Sequence, residues 1–268
     1  MEKNPYEEAV MNIAIITGAS SGLGREFVLQ LDRSESEKLD EMWVIARRRN
    51  RLEELQLLTD TPLRIFSLDL TQPDAFREIS DTLKQETPVV RILINAAGFG
   101  KIGSVRDIGI EDASHMIDLN CRAAVCMTEI TLPYMERSGR ILEICSTAAF
   151  QPFPYLNVYA ATKAFLYRYS RALRVELMGR GIRVTAVCPY WIRDTEFIDT
   201  AKKTKDSRYI RHFPLASKKK NVVRMALSDS RLGLPVSTPG IVCFIHRIAA
   251  KFIPHELMML IWSLLRRI

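Results

Sequence analysis

The amino-acid sequence predicts an α/β fold, with a doubly wound parallel sheet of about seven strands and helices on both faces. Short apolar runs alternate with helical patterns along the chain, as expected when helices join parallel strands. A glycine-rich turn follows the first apolar run. Hydrophobic residues make up 47% of the 268 residues, which is sufficient for the core of such a fold.

The strands are predicted where apolar residues cluster between turn signals, the pattern of strands buried on both faces. We expect them at residues 13–16, 42–46, 64–69, 90–95, 139–145, 183–188 and 234–238. Helices are expected at residues 23–31, 51–58, 73–86, 111–136 and 155–178. No composition shift marks a linker, so residues 1–268 are expected to form a single domain.

Two regions depart from this alternation. Residues 190–220 are polar and lysine-rich, and we expect a substrate lid or insertion there. Residues 240–268 predict two helices separated at Pro254, the second strongly apolar with a basic end. This pair is expected to lie on a membrane surface, to cover the substrate cleft or to pack at a subunit contact.

Charge and cysteine content restrict the class of protein. The net charge is +7, but no nucleic-acid motif accompanies the basic residues, so no nucleic-acid partner is expected. The five cysteines form no Cys-x-x-Cys pair, which indicates reduced thiols in a cytoplasmic protein rather than disulfides or a metal site. We also expect no signal peptide and no membrane span.

The glycine-rich turn joins the first strand to the first helix. Glycines let the backbone approach a pyrophosphate, and the helix N-terminus offers unpaired N–H groups. The alternative is a tight turn without a ligand. The position of the glycine-rich turn after the first strand favours nucleotide binding in a Rossmann-type fold. The residues expected to bind are Thr17, Gly18, Ser20, Ser21, Gly22, Leu23 and Gly24.

Basic residues follow the second strand. Arg47 and Arg48 stand where a fold that binds NAD usually carries an acidic residue for the ribose hydroxyl. Arginine can bind a 2′-phosphate through two hydrogen bonds, so NADP is favoured over NAD. The alternative is a solvated basic turn. Asp69 is expected either to accept a hydrogen bond from the adenine amino group or to be an exposed strand-end residue.

The stretch from Ser146 to Lys163 carries the candidate chemistry. Tyr159 and Lys163 are four residues apart, which places both on one face of a helix. A nearby positive charge lowers a tyrosine pKa from its usual ~10 and makes the phenol usable near neutral pH. Ser146 can hold the oxygen that Tyr159 protonates. The alternative is an amphipathic helix with a buried tyrosine and a solvated lysine.

Taken together, these motifs resemble the short-chain dehydrogenase/reductase family in its single-domain form, over about residues 12–195. The family's Asn-x-Ala-Gly motif is similar to Asn95-Ala-Ala-Gly98, and its helix asparagine to Asn120. The resemblance implies hydride transfer between NADP and a secondary alcohol or ketone. It also implies cofactor contacts by Leu70, Asn95, Ala96, Gly98, Tyr159, Lys163, Pro189, Ile192 and Thr195.

The resemblance further implies the catalytic roles. Tyr159 is the proton donor in reduction, and Ser146 orients the substrate oxygen. Lys163 holds the nicotinamide ribose and lowers the pKa of Tyr159. Asn120 anchors a water that relays protons to Lys163. A homodimer or homotetramer is also implied, with the helices at 111–136 and 155–178 as the dimer face.

One departure from the family pattern lies after the sixth strand. Tyr190 follows Pro189 where the family usually has glycine, and Thr195 comes one residue late. Glycine at such a position usually supplies backbone freedom. The sequence therefore does not determine the backbone conformation at Tyr190, beside the expected nicotinamide.

Aromatic residues follow several strand ends on the catalytic side: Phe99, Phe150, Phe153, Tyr155, Tyr190 and Trp191. They favour an apolar substrate, such as a steroid-like or acyl-chain carbonyl, or else half of them are ordinary packing residues. The competing hypothesis for function is a non-catalytic cofactor-sensing or scaffold protein on the same fold. Such proteins often lack the tyrosine or the lysine, and both are present here.

Overall fold

A computed structural model of the chain describes residues 10–34, 38–210, 213 and 215–266. The N-terminal segment, for which no signal peptide is expected, lies outside the described residues. So do three positions of the predicted lid and the last two residues of the predicted C-terminal helices.

Seven strands are present where the apolar runs predict them. They are β1 (Asn12–Thr17), β2 (Glu41–Ile45), β3 (Leu63–Phe66), β4 (Val89–Asn95), β5 (Arg140–Ile144), β6 (Arg183–Val187) and β7 (Val236–Ser237). All pair in parallel, in the order β3–β2–β1–β4–β5–β6–β7. The predicted fold class is therefore confirmed, although β3 and β7 are shorter than expected.

Helices cover both faces of this sheet. The helices of the described residues are α1 (Gly22–Asp32), α2 (Arg49–Gln56), α3 (Pro73–Glu86), α4 (Ile110–Ile117), α5 (Ala123–Thr131), α6 (Asn157–Glu176), α7 (Phe197–Ala201), α8 (Lys219–Arg231), α9 (Ile241–Phe252) and α10 (His255–Leu265). Alternate residues of a strand point to opposite faces. Ile13 and Ile15 therefore pack with α3 and α5, whereas Ala14 and Ile16 pack with α1, α2 and α8.

The predicted helix at 111–136 is not continuous. A π-helical turn at Asp118–Arg122 separates α4 from α5, and a 3₁₀ turn at Leu132–Tyr134 ends the segment. Pro133 has no N–H to continue an α-helix, which accounts for the early end. The π turn holds Asn120 in a buried position.

The predicted lid begins and ends at neighbouring points of the fold. Ser217 N donates to Trp191 O at 2.8 Å, and Arg193 N donates to Ser217 O at 3.1 Å. The short helix α7 lies between these two anchor points. Beyond them, α9 and α10 are separated at Pro254. Across the described ranges, every helix is either too short or too polar to cross a bilayer.

The reversal of strand order between β1 and β4 opens a crevice at the carboxyl ends of the strands, where ligands of such sheets bind. The glycine turn after β1 closes one end of this crevice. Gly18 has a φ of +69°, a backbone conformation that residues other than glycine rarely adopt. A Cβ on Gly24 would lie 2.3 Å from Gly18 O, so α1 approaches the turn too closely for any side chain.

We therefore expect Gly24→Ala to lower the free energy of unfolding by about 1–3 kcal/mol, since the contact is with backbone and cannot be relieved by a side-chain rotation. Chemical denaturation would measure this change. Gly179→Ala is the matched control, because no atom lies within 4 Å of a Cβ built there. Equal stability of the two variants would contradict the close approach.

Candidate active site

A cleft of about 520 Å³ lies at the carboxyl ends of the central strands. Most of the predicted site residues line it. They are Gly18, Ser20, Ser21, Gly22, Leu23, Gly24, Arg47, Arg48, Asp69, Leu70, Ala96, Gly98, Ser146, Tyr159, Lys163, Pro189, Ile192 and Thr195. Thr17, Asn95 and Asn120 do not line the cleft, and each has a structural contact instead.

The three candidate catalytic groups converge in this cleft. Ser146 follows β5 and caps a 3₁₀ turn, where its Oγ accepts a hydrogen bond from Ala148 N at 3.1 Å. Tyr159, on the first turn of α6, lies beside Ser146, whose hydroxyl lowers the pKa of the tyrosine. Lys163, one turn later, has its Nζ 5.8 Å from the centre of the Tyr159 ring. The Ser-Tyr-Lys spacing in the sequence therefore corresponds to one cluster in space.

The electrostatics of this cluster differ from the expectation. Tyr159 and Lys163 are only 7% and 5% exposed. Burial raises the pKa of Tyr159, and the Ser146 hydroxyl offsets this only in part. The pKa is thus raised, not lowered as the neighbouring lysine predicts. Burial also lowers the pKa of Lys163, because removal from water disfavours the charged ammonium.

The ammonium of Lys163 has a partner at the end of a strand. Its Nζ donates to Ile144 O at 2.6 Å. A Cβ on Gly98 would lie 2.8 Å from Asn120 Oδ1 and 3.5 Å from Lys163 Nζ. The absence of a side chain at Gly98 therefore lets these groups approach one another.

The side chain of Asn120 braces the loop after β4. Its Oδ1 accepts from Phe99 N at 3.0 Å, and its Nδ2 donates to Phe99 O at 2.9 Å and Thr162 Oγ1 at 3.0 Å. The amide thus joins the loop to α6. Its expected role in anchoring a water that relays protons to Lys163 stays a prediction.

Thr17 and Asn95 make hydrogen bonds next to the crevice without lining it. Thr17 Oγ1 accepts from Ala96 N and from Ala97 N, each at 3.0 Å, and so joins the ends of β1 and β4. Asn95 points into the core, where its Nδ2 donates to Glu143 Oε1 at 2.9 Å. Asn95 does not line the cleft, and its expected role in cofactor binding stays a prediction.

At the nucleotide end, Arg48 reaches over the glycine turn. Its Nη2 donates to Ser21 Oγ at 2.7 Å and to Ser20 Oγ at 3.1 Å. Its Nη1 donates to Glu196 Oε2 at 2.8 Å, and the same carboxylate also pairs with Arg51. Sequence reasoning missed Glu196, because it lies in the irregular region and pairs with residues far away along the chain.

Arg47 and Asp69 face each other at the rim, with 3.8 Å between Arg47 Nη1 and Asp69 Oδ2. Burial raises the pKa of Asp69, but hydrogen bonds from Thr71 and the charge of Arg47 outweigh it, so the pKa is lowered. The carboxylate is therefore charged and able to accept a hydrogen bond at neutral pH.

These features fit a dinucleotide. Gly18 and Gly22 both have positive φ and carry no side chain that would keep a ligand away from the backbone. Arg48 places its guanidinium beside two serine hydroxyls. Tyr190 does not adopt a left-handed conformation, so the glycine of the related motif is not needed at this position.

Comparison with known proteins agrees with this geometry. Residues 12–206 match the family model of the short chain dehydrogenases. The chain belongs to the short-chain dehydrogenase/reductase family. It is therefore an NAD(P)-dependent oxidoreductase, as the motifs predict.

Three relatives illustrate the similarity. The NADP-dependent 3-hydroxy acid dehydrogenase of Escherichia coli is 37% identical over 205 residues, which cover 73% of this chain and 79% of the relative. The 17-beta-hydroxysteroid dehydrogenase type 3 of Mus musculus is 33% identical over 191 residues, covering 67% and 59%. A short-chain dehydrogenase from Sphingobium yanoikuyae in complex with NADPH superposes with a TM-score of 0.76 at 26% identity, covering 92% and 95%.

The aromatic residues divide between the cleft and its support. Phe99, Phe153, Tyr190 and Trp191 line the cleft. Phe150 instead packs against Tyr167 and His246, and Tyr155 stacks on Tyr209. Sequence reasoning missed two further lining residues, Phe197 of α7 and Trp262 of α10.

A buried carboxyl group lies next to the site without lining it. Glu143 is fully buried in β5, and its Oε1 accepts hydrogen bonds from Asn95 Nδ2 and Thr128 Oγ1. Within the described part of the chain, its Oε2 has no hydrogen-bond partner. Burial raises the pKa of Glu143 to about 7, although these two hydrogen bonds and the charge of Lys163 lower it. An acidic residue inside an apolar run was the sequence signal for this group.

Because the folded pKa of Glu143 exceeds its ordinary 4.5, the fold favours the protonated acid. Its ionisation therefore destabilises the protein as pH rises from about 4.5 to about 7, after which the effect is constant. We expect the melting temperature of the wild type to fall more over this range than that of Glu143→Gln. Parallel pH profiles of the two proteins, measured by thermal denaturation, would contradict this assignment.

Proposed function

We propose that this protein is an NADP-dependent dehydrogenase that interconverts a ketone and a secondary alcohol on an apolar substrate. One observation carries the proposal. The Tyr159 hydroxyl, the Ser146 hydroxyl and the Lys163 ammonium converge in one cleft, and the other end of that cleft presents Arg48 beside the glycine turn.

Each group has a distinct task in this proposal. In the reductive direction Tyr159 donates its proton to the substrate oxygen, and Ser146 hydrogen bonds to the same oxygen. Burial raises the pKa of Tyr159, so the phenol carries its proton at neutral pH, but a raised pKa also makes it a weaker acid. Lys163 binds the ribose hydroxyls. When bound, the nicotinamide supplies or accepts the hydride.

The choice of NADP is supported at the 2′-phosphate position. Arg48 donates from Nε to Ser20 and from Nη2 to both Ser20 and Ser21, and its planar guanidinium suits a phosphate. The E. coli relative is named as NADP-dependent, and the S. yanoikuyae structure contains NADPH. No acidic side chain stands directly after β2, since Ala46, Arg47 and Arg48 follow it.

The proposed substrate class rests on the walls of the cleft. Four aromatic residues that follow strand ends line it, together with Phe197 and Trp262. Such walls suit a bulky apolar carbonyl compound better than a small polar one. The mouse relative is named for a hydroxysteroid and the E. coli relative for a 3-hydroxy acid, so both steroid-like and acyl-chain substrates belong in the test panel.

The non-catalytic alternative is less well supported. A cofactor-sensing or scaffold protein has no need for a protonated phenol beside a serine hydroxyl and a buried ammonium. All three groups line the same cleft within the described residues.

Two broader proposals accompany the activity. A homodimer or homotetramer would use the outer faces of α4, α5 and α6, where Ile117, Phe165 and Val175 are exposed.

A cytoplasmic location is supported by the five cysteines, all of which are free thiols.

Tyr159→Phe tests the catalytic proposal. Removal of the hydroxyl deletes the proton donor, so we expect turnover of carbonyl substrates to fall by roughly 10²–10⁴-fold. Binding of NADPH should be nearly unchanged, as followed by fluorescence titration. Turnover would be measured by NADPH oxidation across steroid, acyl and polyol substrates. A variant that kept most of its activity would show that another group donates the proton.

Arg48→Ala tests the cofactor preference. Hydrogen bonds to a charged group contribute about 1.5–3 kcal/mol, so we expect KM for NADPH to rise roughly tenfold or more while KM for NADH stays constant. Arg49→Ala is the matched control, because Arg49 pairs with Glu53 and does not line the cleft. Equal effects on NADPH and NADH would remove Arg48 from the 2′-phosphate site.

A further inference from the structure

Helix α9 turns its apolar side outward. Ile241, Phe244, Ile245, Ile248 and Phe252 follow helical spacing on one face, and all five are exposed, Phe252 by 74%. An amphipathic helix at the surface of a protein normally buries this stripe.

The opposite face of α9 supplies its contacts to the fold. Cys243 is buried there, and a ring nitrogen of His246 lies 2.9 Å from Gln151 Oε1. The orientation of α9 is therefore fixed by polar and small residues. Its largest apolar side chains have no part in this packing.

Helix α10 has the same orientation. Leu257, Leu260, Ile261 and Leu264 are exposed on its outer face, Leu264 by 59%. Trp262 points inward, where its ring centre lies 5.0 Å from that of Phe153. Both outer faces are thus apolar and lack a partner in the described part of the chain.

The two helices share one support. The His246 ring of α9 lies 5.8 Å from the Phe153 ring, on which Trp262 of α10 also packs. Each helix therefore packs one face on this wall of the cleft and keeps an apolar stripe exposed on the other. We call these nine exposed residues of α9 and α10 the C-terminal apolar surface.

Lys251 borders the C-terminal apolar surface, with its Nζ 5.9 Å from the centre of the exposed Phe252 ring. Arg266, at the end of α10, donates to Tyr209 O at 3.2 Å and so holds the segment 197–210 beside the helix. In this segment Lys202, Lys203 and Lys205 are exposed. Residues 197–210 and 241–266 together carry seven basic and three acidic side chains.

We infer that the C-terminal apolar surface lies on a membrane that contains anionic lipids. Apolar side chains enter the headgroup boundary, while neighbouring lysines bind anionic headgroups. A second copy of the chain fits less well, because a two-fold contact would bring the same basic border against itself. The surface therefore matches a bilayer in both hydrophobicity and charge.

This position would also define how substrate arrives, which rests on the proposed function. Phe153 and Trp262 line the cleft on their inner side and support α9 and α10 on their outer side. Helices α9 and α10, together with these two rings, thus separate the proposed membrane surface from the cleft. The substrate class would be an apolar carbonyl compound dissolved in the bilayer.

Vesicle sedimentation of the full chain tests the inference. We expect binding to vesicles of phosphatidylcholine with phosphatidylserine, and much weaker binding to phosphatidylcholine alone. The double variant Ile245→Glu/Leu260→Glu should lose at least tenfold in vesicle binding, since two exposed apolar side chains no longer enter the bilayer. The control Leu57→Glu/Leu232→Glu changes two exposed leucines elsewhere and should bind like the wild type.

Three outcomes would overturn the inference. In the first, the wild type binds neither kind of vesicle. In the second, the two double variants bind vesicles equally well. In the third, light scattering shows that Ile245→Glu/Leu260→Glu converts a dimer to a monomer, while the wild type binds no vesicles. Circular dichroism would confirm that the variants are folded. Because Tyr159→Phe should still bind vesicles, failure of the proposed chemistry and failure of membrane binding give different results.

Discussion

The candidate site depends on a buried ammonium group and the strand-end carbonyl that receives it. Lys163 Nζ lies 2.6 Å from Ile144 O, and a charge in the interior requires such a partner. This hydrogen bond ties α6 to the end of β5. The same tie places Tyr159, one turn earlier on α6, beside the hydroxyl of Ser146, which follows β5. The absence of a side chain at Gly98 completes the arrangement, because a Cβ there would collide with Asn120.

Those features that follow from local pattern could be predicted from the sequence. The strands, the glycine turn and the shared face of Tyr159 and Lys163 all depend on short-range periodicity or spacing. The direction of the Tyr159 pKa shift could not be predicted, because it is set by burial under residues distant in sequence. The same holds for Asn95, whose motif suggests the cofactor side, whereas Glu143 and Thr128 draw its amide into the core.

The nucleotide end and the lid meet at one carboxylate. Glu196 lies in the segment between β6 and α7 and pairs with Arg48 and Arg51, which belong to the opposite half of the sheet. Exposed ion pairs contribute little stability individually, but two arginines on one acid fix where the segment lies. An irregular polar sequence gives no periodicity from which such long-range pairs can be inferred. The ion pairs of Glu196 with Arg48 and Arg51 therefore could not be predicted from the sequence.

The π-helical turn between α4 and α5 imposes a register on the chain. Each residue of an α-helix advances by about 100°, so one residue more or fewer in this turn would swing Asn120 away from Phe99 and Thr162. Substitutions on the solvent side of α4 leave that alignment intact. Length variation during evolution should accordingly be confined to the loops that flank this segment, while the count of residues from Asp118 to Arg122 stays constant.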